Sequence, residues 1–287
     1  VVTLLACSVL YCIGVLIEPI EHFGIALSVR ILAFAGVVTV VSLLRERQRG
    51  LERAAEELEE IRAALTPAAL PRLVGVDAAA AFVPSRHGVS GDFYLLTNGP
   101  DRSAVAIVGD VAGHGPTAAR LATFVRARFA ALTAGTSDPA ELLTLVNSAL
   151  LDRPGHEREL VSAVCLRLRD ERLHWAIAGH PPPLLLPGLE ELTSASPTYL
   201  LGAEAGLELA NGETTLPRGD GVVAYTDGAT DVRRDNETLG LEGLRGLLAP
   251  IAAKPAPAIV SRTEKAILAW AESPLRDDLC LLALKPR

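Results

Sequence analysis

Hydrophobic positions along the chain change character twice. Residues 1–17 carry no charge, and residues 24–44 carry only Arg30. Runs of about 20 apolar residues are the length that spans a bilayer, so each is expected to be a transmembrane helix. Arg30 lies near one end of its run, where a long side chain can reach an interface. Between the runs stands the short acidic segment Glu18-Pro19-Ile20-Glu21-His22-Phe23, and after them come Arg45, Arg47, Arg49 and Arg53. The excess of arginine after residue 44 predicts that everything downstream faces the cytoplasm. A signal peptide followed by a buried helix would need a basic start and a small-residue cleavage site, and neither is present. Methionine is absent throughout, so the first span is expected to lack its beginning or to start at a non-ATG codon read as Val1.

From residue 45 to 65 the spacing becomes helical, with Leu51, Ala54, Leu58, Ile61 and Leu65 at a and d positions of two heptads. That pattern fits a coiled coil pairing two chains through residues 45–65, and equally one solvated helix lying on the next domain. Thr66-Pro67 and Leu70-Pro71 end it. The organisation predicted is therefore 1–44, two transmembrane helices; 45–71, a helical linker; and 72–287, one further domain.

Beyond residue 76 the pattern shortens to strands: 78–83, 92–97, 103–110, 160–168, 172–178, 184–186, 221–226 and 278–284, most of them bounded by Gly, Pro, Asn or Asp. Helical periodicity occupies 116–132, 139–151, 241–248 and 256–271. Strands grouped in runs and interrupted by paired helices predict an α+β domain with helices packed on stacked antiparallel sheets.

Composition adds exclusions. Of 287 residues 49% are hydrophobic and 21% charged, which rules out a mainly disordered chain. The net charge is −7 with no long basic run after the first fifty positions, so no nucleic-acid partner is expected. The four cysteines, Cys7, Cys12, Cys165 and Cys280, form no C-x-x-C pair and read as reduced thiols.

The candidate chemistry lies in where the aspartates fall. Asp110 ends the apolar strand Ala104-Val105-Ala106-Ile107-Val108, and Asp227 ends Val222-Val223-Ala224-Tyr225-Thr226. Asp92 opens a strand after Ser90-Gly91, and Asp277-Asp278 opens the last one. Four acidic strand ends can meet at one edge of a sandwich. Gathered carboxylates raise one another's pKa unless a cation holds them ionised, and oxygen-only ligands suit Mg²⁺ or Mn²⁺ better than zinc. A single Asp-Gly at a strand end is usually only a turn; the weight rests on the joint occurrence.

Taken together, Ser90-Gly91-Asp92-Phe93-Tyr94, Gly109-Asp110-Val111-Ala112-Gly113-His114-Gly115, Ala178-Gly179-His180-Pro181-Pro182, Tyr225-Thr226-Asp227-Gly228 and Asp277-Asp278 resemble the ordered motifs of the metal-dependent (PPM-type) serine/threonine protein phosphatases. The nearest branch is the bacterial one acting in sporulation and stress sigma-factor control, and the resemblance covers roughly residues 62–287. It implies a central antiparallel β-sandwich flanked by helices, with two Mn²⁺ or Mg²⁺ ions at one end. By the resemblance Asp92, Asp110, Asp227 and Asp277 bind the metals together with the backbone carbonyl of Val111, the choice of Asp277 over Asp278 depending on alignment. Asp110 and Asp227 would act in catalysis through a metal-activated water attacking a phosphoserine or phosphothreonine phosphorus. The implied partner is a phosphorylated bacterial regulator such as an anti-sigma-factor antagonist, met at the cytoplasmic face of a multi-pass membrane protein. Departures from the family stand at Ser90 (usually Gly), Leu95 (usually Asp) and Ala112, where animal-type members carry a histidine. His114 and His180 are expected to shape their loops.

Rival readings fare worse. Gly113-His114-Gly115-Pro116-Thr117-Ala118 fits a dinucleotide fingerprint, but a second helix follows where a parallel strand is needed. His156 follows Pro154-Gly155, unlike a kinase histidine on a dimerisation helix. A phosphatase-like scaffold without turnover is the remaining alternative, and the retained aspartates argue against it.

Overall fold

Two antiparallel sheets, stacked face to face and covered by helices, account for most of the chain beyond residue 75. The structure, a computed structural model, describes residues 23–65, 70–85, 91–154, 159–194, 199–235, 237–271 and 274–287, with only the backbone described at 23–29, 51–52 and 54–65. It divides into two compact units, Val1–Glu57 and Leu58–Arg287.

Helix α1 runs without a break from Phe23–Leu65, 43 residues. The expected second span and the helical linker lie on this one helix: no proline intervenes at residue 44, and the Arg, Glu, Leu and Ala that follow are strong helix formers. Among the described residues no helix is long and apolar enough to cross a membrane. The described part of α1 nonetheless exposes Ile31, Leu32, Phe34, Leu43 and Leu44. The first expected span, residues 1–17, lies outside the described residues, as do the Thr66-Pro67 stop, Ser90 and His156. The a/d side chains of the heptads, from Leu51 to Leu65, are likewise not described.

The five-stranded sheet has the order β2 (Phe93–Asn98), β3 (Ala104–Val111), β4 (Val161–Arg169), β5 (Arg172–Ala178), β7 (Gly212–Thr215). The four-stranded sheet has the order β1 (Val76–Val83), β11 (Leu279–Pro286), β8 (Gly221–Tyr225), β6 (Leu184–Leu186). Successive residues of a strand point to opposite faces. Tyr94, Leu96, Ala106 and Val108 accordingly pack inward against Val222, Ala224, Leu282 and Leu284 of the other sheet. Their neighbours Phe93, Leu95, Val105 and Ile107 pack outward with Val125, Phe129, Leu142 and Val146, which belong to α2 (Pro116–Leu132) and α3 (Pro139–Leu151). Burial on both faces is why Ala104 to Val108 reads as an uninterrupted apolar run. On the far side, Val223, Tyr225, Leu281 and Ala283 meet Leu244, Leu248, Ile259 and Ile267 of α4 (Gly240–Leu248) and α5 (Ala256–Trp270). The result is an α/β/β/α sandwich, as the strand and helix patterns predict.

Three elements carry no apolar signal and escape sequence reading. β7, Gly-Glu-Thr-Thr, is an edge strand alternating half-buried and exposed positions. The hairpin β9 (Arg233–Arg234) and β10 (Glu237–Thr238) is wholly exposed. Helix α3 is legible because its start is spelled out. Asp138 caps it by accepting from the Glu141 amide at 2.9 Å, and Pro139 fills the first turn. Cys165 and Cys280 are buried and unbridged.

Candidate active site

Strand pairing brings the first two carboxylates together. Phe93 pairs with Gly109 across β2 and β3, so Asp92, one residue before, and Asp110, one after, share the same end of the ladder. Asp92 is fully buried, and the two carboxyl groups lie within hydrogen-bonding reach. The backbone here is too close for side chains. A Cβ on Gly91 would stand 2.4 Å from the Val111 carbonyl oxygen, and the Val111 amide donates to Gly91 O at 3.3 Å.

The second pair comes from the other sheet. Leu281 pairs with Tyr225 across β11 and β8, which sets the end of β8 beside the start of β11. Asp227 opens a 3-10 turn, Asp227–Ala229. A Cβ on Gly228 would lie 1.8 Å from Asp278 O, so only glycine permits this approach. Asp227 and Asp277 act on each other electrostatically, and both act on Asp110. All four expected positions therefore gather at one end of the sandwich.

The two adjacent aspartates divide their roles by facing opposite ways. Asp277 is exposed and joins Asp110 and Asp227 in a carboxylate rim. Asp278 is fully buried; its Oδ1 accepts from the Ser85 amide at 2.6 Å, its Oδ2 has no hydrogen-bond partner among the described residues, and its charge acts on Asp92. Asp277 Oδ1 in turn accepts from the Asp278 amide at 2.8 Å.

Electrostatics follow from this crowding. Burial raises the Asp92 carboxyl well above its ordinary range, and Asp110 adds to the rise while a hydrogen bond from Thr226 opposes it. Burial pushes Asp110 up to about 7; its bond with Asp92 opposes the rise, and Asp227 and Asp277 add to it. Asp227 is raised by burial, then by Asp277 and Asp231. Such a group of carboxylates is held ionised only with positive charge among them. The donors are all hard oxygens, so the chemistry of the set fits Mg²⁺ or Mn²⁺. As they stand, no three His, Cys, Asp or Glu side chains among the described residues form a complete metal cluster.

The histidines take the structural places expected of them. His180 is buried, and its Nδ1 lies 2.8 Å from the Ser162 hydroxyl, on the residue that pairs with Asp110 across β3 and β4. Burial pushes its pKa down to about 3, so it is neutral near pH 7. His114 is exposed in the turn before α2, which follows the capping residue Gly115 at φ 81° and has Pro116 in its first turn.

Sequence reasoning missed Thr226, Ser85, Ser162 and Asp231. Thr226 lies inside a recognised motif, and a hydroxyl next to a strand-end aspartate is the one signal that pointed to it. Its Oγ1 donates to Asp92 Oδ2 at 2.6 Å and accepts from the Cys280 amide at 3.1 Å.

Comparison with known proteins gives a consistent result. The family described as stage II sporulation protein E (SpoIIE) matches residues 100–287. The phosphoserine phosphatase RsbU of Bacillus subtilis (strain 168) is 22% identical over 245 residues, 84% of this chain and 72% of RsbU. A solved structure of RsbU and RsbW domains from Mycobacterium tuberculosis is 27% identical with a TM-score of 0.63, covering 76% of this chain and 62% of that one. The SiaA-PP2C domain of Pseudomonas aeruginosa shares the fold at a TM-score of 0.68 and 22% identity, covering 85% of this chain and 98% of that domain.

Proposed function

Because the chain belongs to the SpoIIE family, we propose that it is a metal-dependent serine/threonine protein phosphatase that dephosphorylates a bacterial regulatory protein from the membrane surface. One observation carries the chemistry. Asp92, Asp110 and Asp227, together with Asp277, converge on one sandwich end, where burial and nearby carboxylates raise the pKa of the first three.

Asp92, Asp110, Asp227 and Asp277, with the Val111 carbonyl, would hold two Mn²⁺ or Mg²⁺ ions. Bound there, the ions would supply positive charge for the phosphoryl oxygens and a water acidic enough to attack phosphorus near neutral pH. The protein's own groups do the positioning. Asp110 lies between the buried carboxylate of Asp92 and the rim formed by Asp227 and Asp277, and so couples the two halves. Thr226 holds Asp92 from the opposite sheet. Neutral, buried His180 is too weak an acid to protonate a leaving serine oxygen at pH 7 and instead braces Ser162 behind Asp110.

The likeness to RsbU, a phosphoserine phosphatase, supports a phosphorylated partner such as an anti-sigma-factor antagonist. Membrane attachment through residues 1–17 and 24–44, with the catalytic domain cytoplasmic, is supported by the arginines after residue 44 and by the exposed apolar side chains of α1. Pairing of two chains through residues 45–65 is supported by the heptad spacing.

Phosphate release from a phosphoserine protein, followed with and without Mn²⁺, tests the reading. Turnover with Mn²⁺ that stops on chelation and in Asp110→Asn is the expected result. The second reading, a silent scaffold, draws on the lack of a complete three-ligand cluster among the described residues. It requires no turnover with any divalent metal.

A further inference from the structure

A cavity of about 520 Å³ opens beside the carboxylate rim, with Asp277 and Gly228 in its wall. Its size falls in the ~300–1,000 Å³ range of ligand pockets and exceeds what a phosphate group needs. The walls are built. β9 pairs with β10, Arg234 matching Glu237 and Arg233 matching Thr238. The Arg234 guanidinium stacks 4.8 Å above the Trp270 ring. The Leu239 and Gly240 amides donate to the carbonyls of Val232 and Thr230, both at 2.9 Å.

The charges in this cavity fall into two sets. Asp231 and Asp277 act on Asp227 and belong to the rim. Outside the rim stand Arg233, Arg276 and Asp235, with apolar Val232 and Leu275 beside them. Among the described residues neither Arg233 nor Arg276 forms a salt bridge, whereas Arg167, Arg172 and Arg245 are each paired with a carboxylate. A chain of net charge −7 that gathers its carboxylates at one end repels an anionic substrate. Cations left open next to that end counter the repulsion, and the apolar lining gives stems and side chains something to pack on.

We propose that this cavity is the subsite for the polypeptide flanking the phosphorylated residue, and that Arg233 and Arg276 select acidic side chains there. The proposal rests on the phosphatase reading and deepens it. A phosphate group alone would leave the apolar part of the cavity unused.

The test compares two phosphoserine peptides of equal length, one flanked by Asp and Glu and the other by Asn and Gln, with p-nitrophenyl phosphate as a third substrate. The full chain is assayed with Mn²⁺ in detergent micelles. An exposed ion pair is worth roughly a two- to five-fold change in affinity. The wild type should therefore show a KM about ten-fold lower for the acidic peptide, through both arginines. Arg233→Ala with Arg276→Ala should bring the KM ratio of the two peptides close to one, leaving kcat and the hydrolysis of p-nitrophenyl phosphate unchanged. Because the ratio is measured within one preparation, loss of folded protein cancels from it. Arg218→Ala, at a distant pocket and paired with Glu171, should leave the ratio intact. An unchanged ratio in the double variant overturns the proposal, as does an equal rise in KM for p-nitrophenyl phosphate, which would mean that the arginines bind the phosphate itself. Failure of the wild type to hydrolyse p-nitrophenyl phosphate with any divalent metal would overturn the phosphatase reading beneath it.

Discussion

The Thr226 hydroxyl donates to Asp92 Oδ2 at 2.6 Å across the interior of the sandwich, joining residues 134 positions apart. Thr226 follows β8 of one sheet and Asp92 precedes β2 of the other. The same oxygen accepts from the Cys280 amide at 3.1 Å, so one side chain ties both sheets at the end where the carboxylates meet. The bond also opposes the rise in the Asp92 pKa, which makes it a device for keeping a buried carboxylate ready for a cation.

Thr226→Val keeps the shape and removes the donor. A buried carboxylate losing a hydrogen bond costs about 1.5–3 kcal/mol, and Asp92 must then shed a proton at higher pH before it can meet a metal. Mn²⁺ titration calorimetry of the chain should show affinity at least ten-fold weaker in Thr226→Val and near wild type in Thr226→Ser. Equal affinity in the valine variant would confine Thr226 to packing.

Asp110 gives the pH dependence its sign. Its carboxyl titrates at about 7 in the folded, metal-free protein and near 3.9 in an unfolded chain. A raised folded pKa contributes stability that is full below the unfolded value and is lost as pH rises through the folded one. Between pH 6.5 and 8.5 the metal-free protein should lose about 1 kcal/mol from this group. His180, neutral when folded but still half protonated near pH 6.5 when unfolded, acts with the opposite sign and offsets about 0.4 kcal/mol of that loss. Denaturant melts in the presence of a chelator should show the fall. Asp110→Asn should lessen it, leaving the part that comes from Asp92 and Asp227, while collapsing Mn²⁺ affinity.

Close backbone approach gives a purely steric prediction. A methyl at position 228 would sit 1.8 Å from the Asp278 carbonyl oxygen, and the nearest atoms are all backbone of Asp278 and Leu279, with no flexible group to yield. Gly228→Ala should cost at least about 3 kcal/mol and displace the rim. Gly246, inside α4 with nothing within 4 Å of an added Cβ, is the contrast. Gly246→Ala should stabilise by roughly 0.5–1 kcal/mol, and thermal unfolding of the two variants gives opposite shifts.

These contrasts mark what was legible in the chain. Ala104 to Val108 announced a strand buried on both faces, and its terminal Asp110 announced chemistry, because both are local patterns. The edge strand Gly212–Thr215 and the hairpin at Arg233–Thr238 hold their place by pairing and by Arg234 on Trp270, none of which leaves an apolar period. Thr226 was visible as a letter in a motif but not as a tie, since its partner lies in the other sheet. The choice between Asp277 and Asp278 was open because alternation sends neighbours to opposite sides, and only the position of Ser85 and of the rim decides which goes where.

Helix α1 supplies the last prediction. Ile31, Leu32, Phe34, Leu43 and Leu44 are exposed, Leu32 at 72%, and the Thr39 hydroxyl donates a hydrogen bond to the Ala35 carbonyl at 2.8 Å, satisfying itself within the helix. Apolar side chains exposed all round the helix cost roughly 25 cal/mol per Å² when left in water, and lipid removes that cost without asking for a protein partner. The cleanest separation cuts in the chain before β1. Full-length protein should sediment with membranes and resist extraction at high salt or alkaline pH, while residues 70–287 should remain in the supernatant and keep Mn²⁺-dependent hydrolysis of p-nitrophenyl phosphate. Recovery of the full chain in the soluble fraction would assign the apolar surface of α1 to a protein partner instead of a bilayer, and would leave the catalytic end of the sandwich untouched.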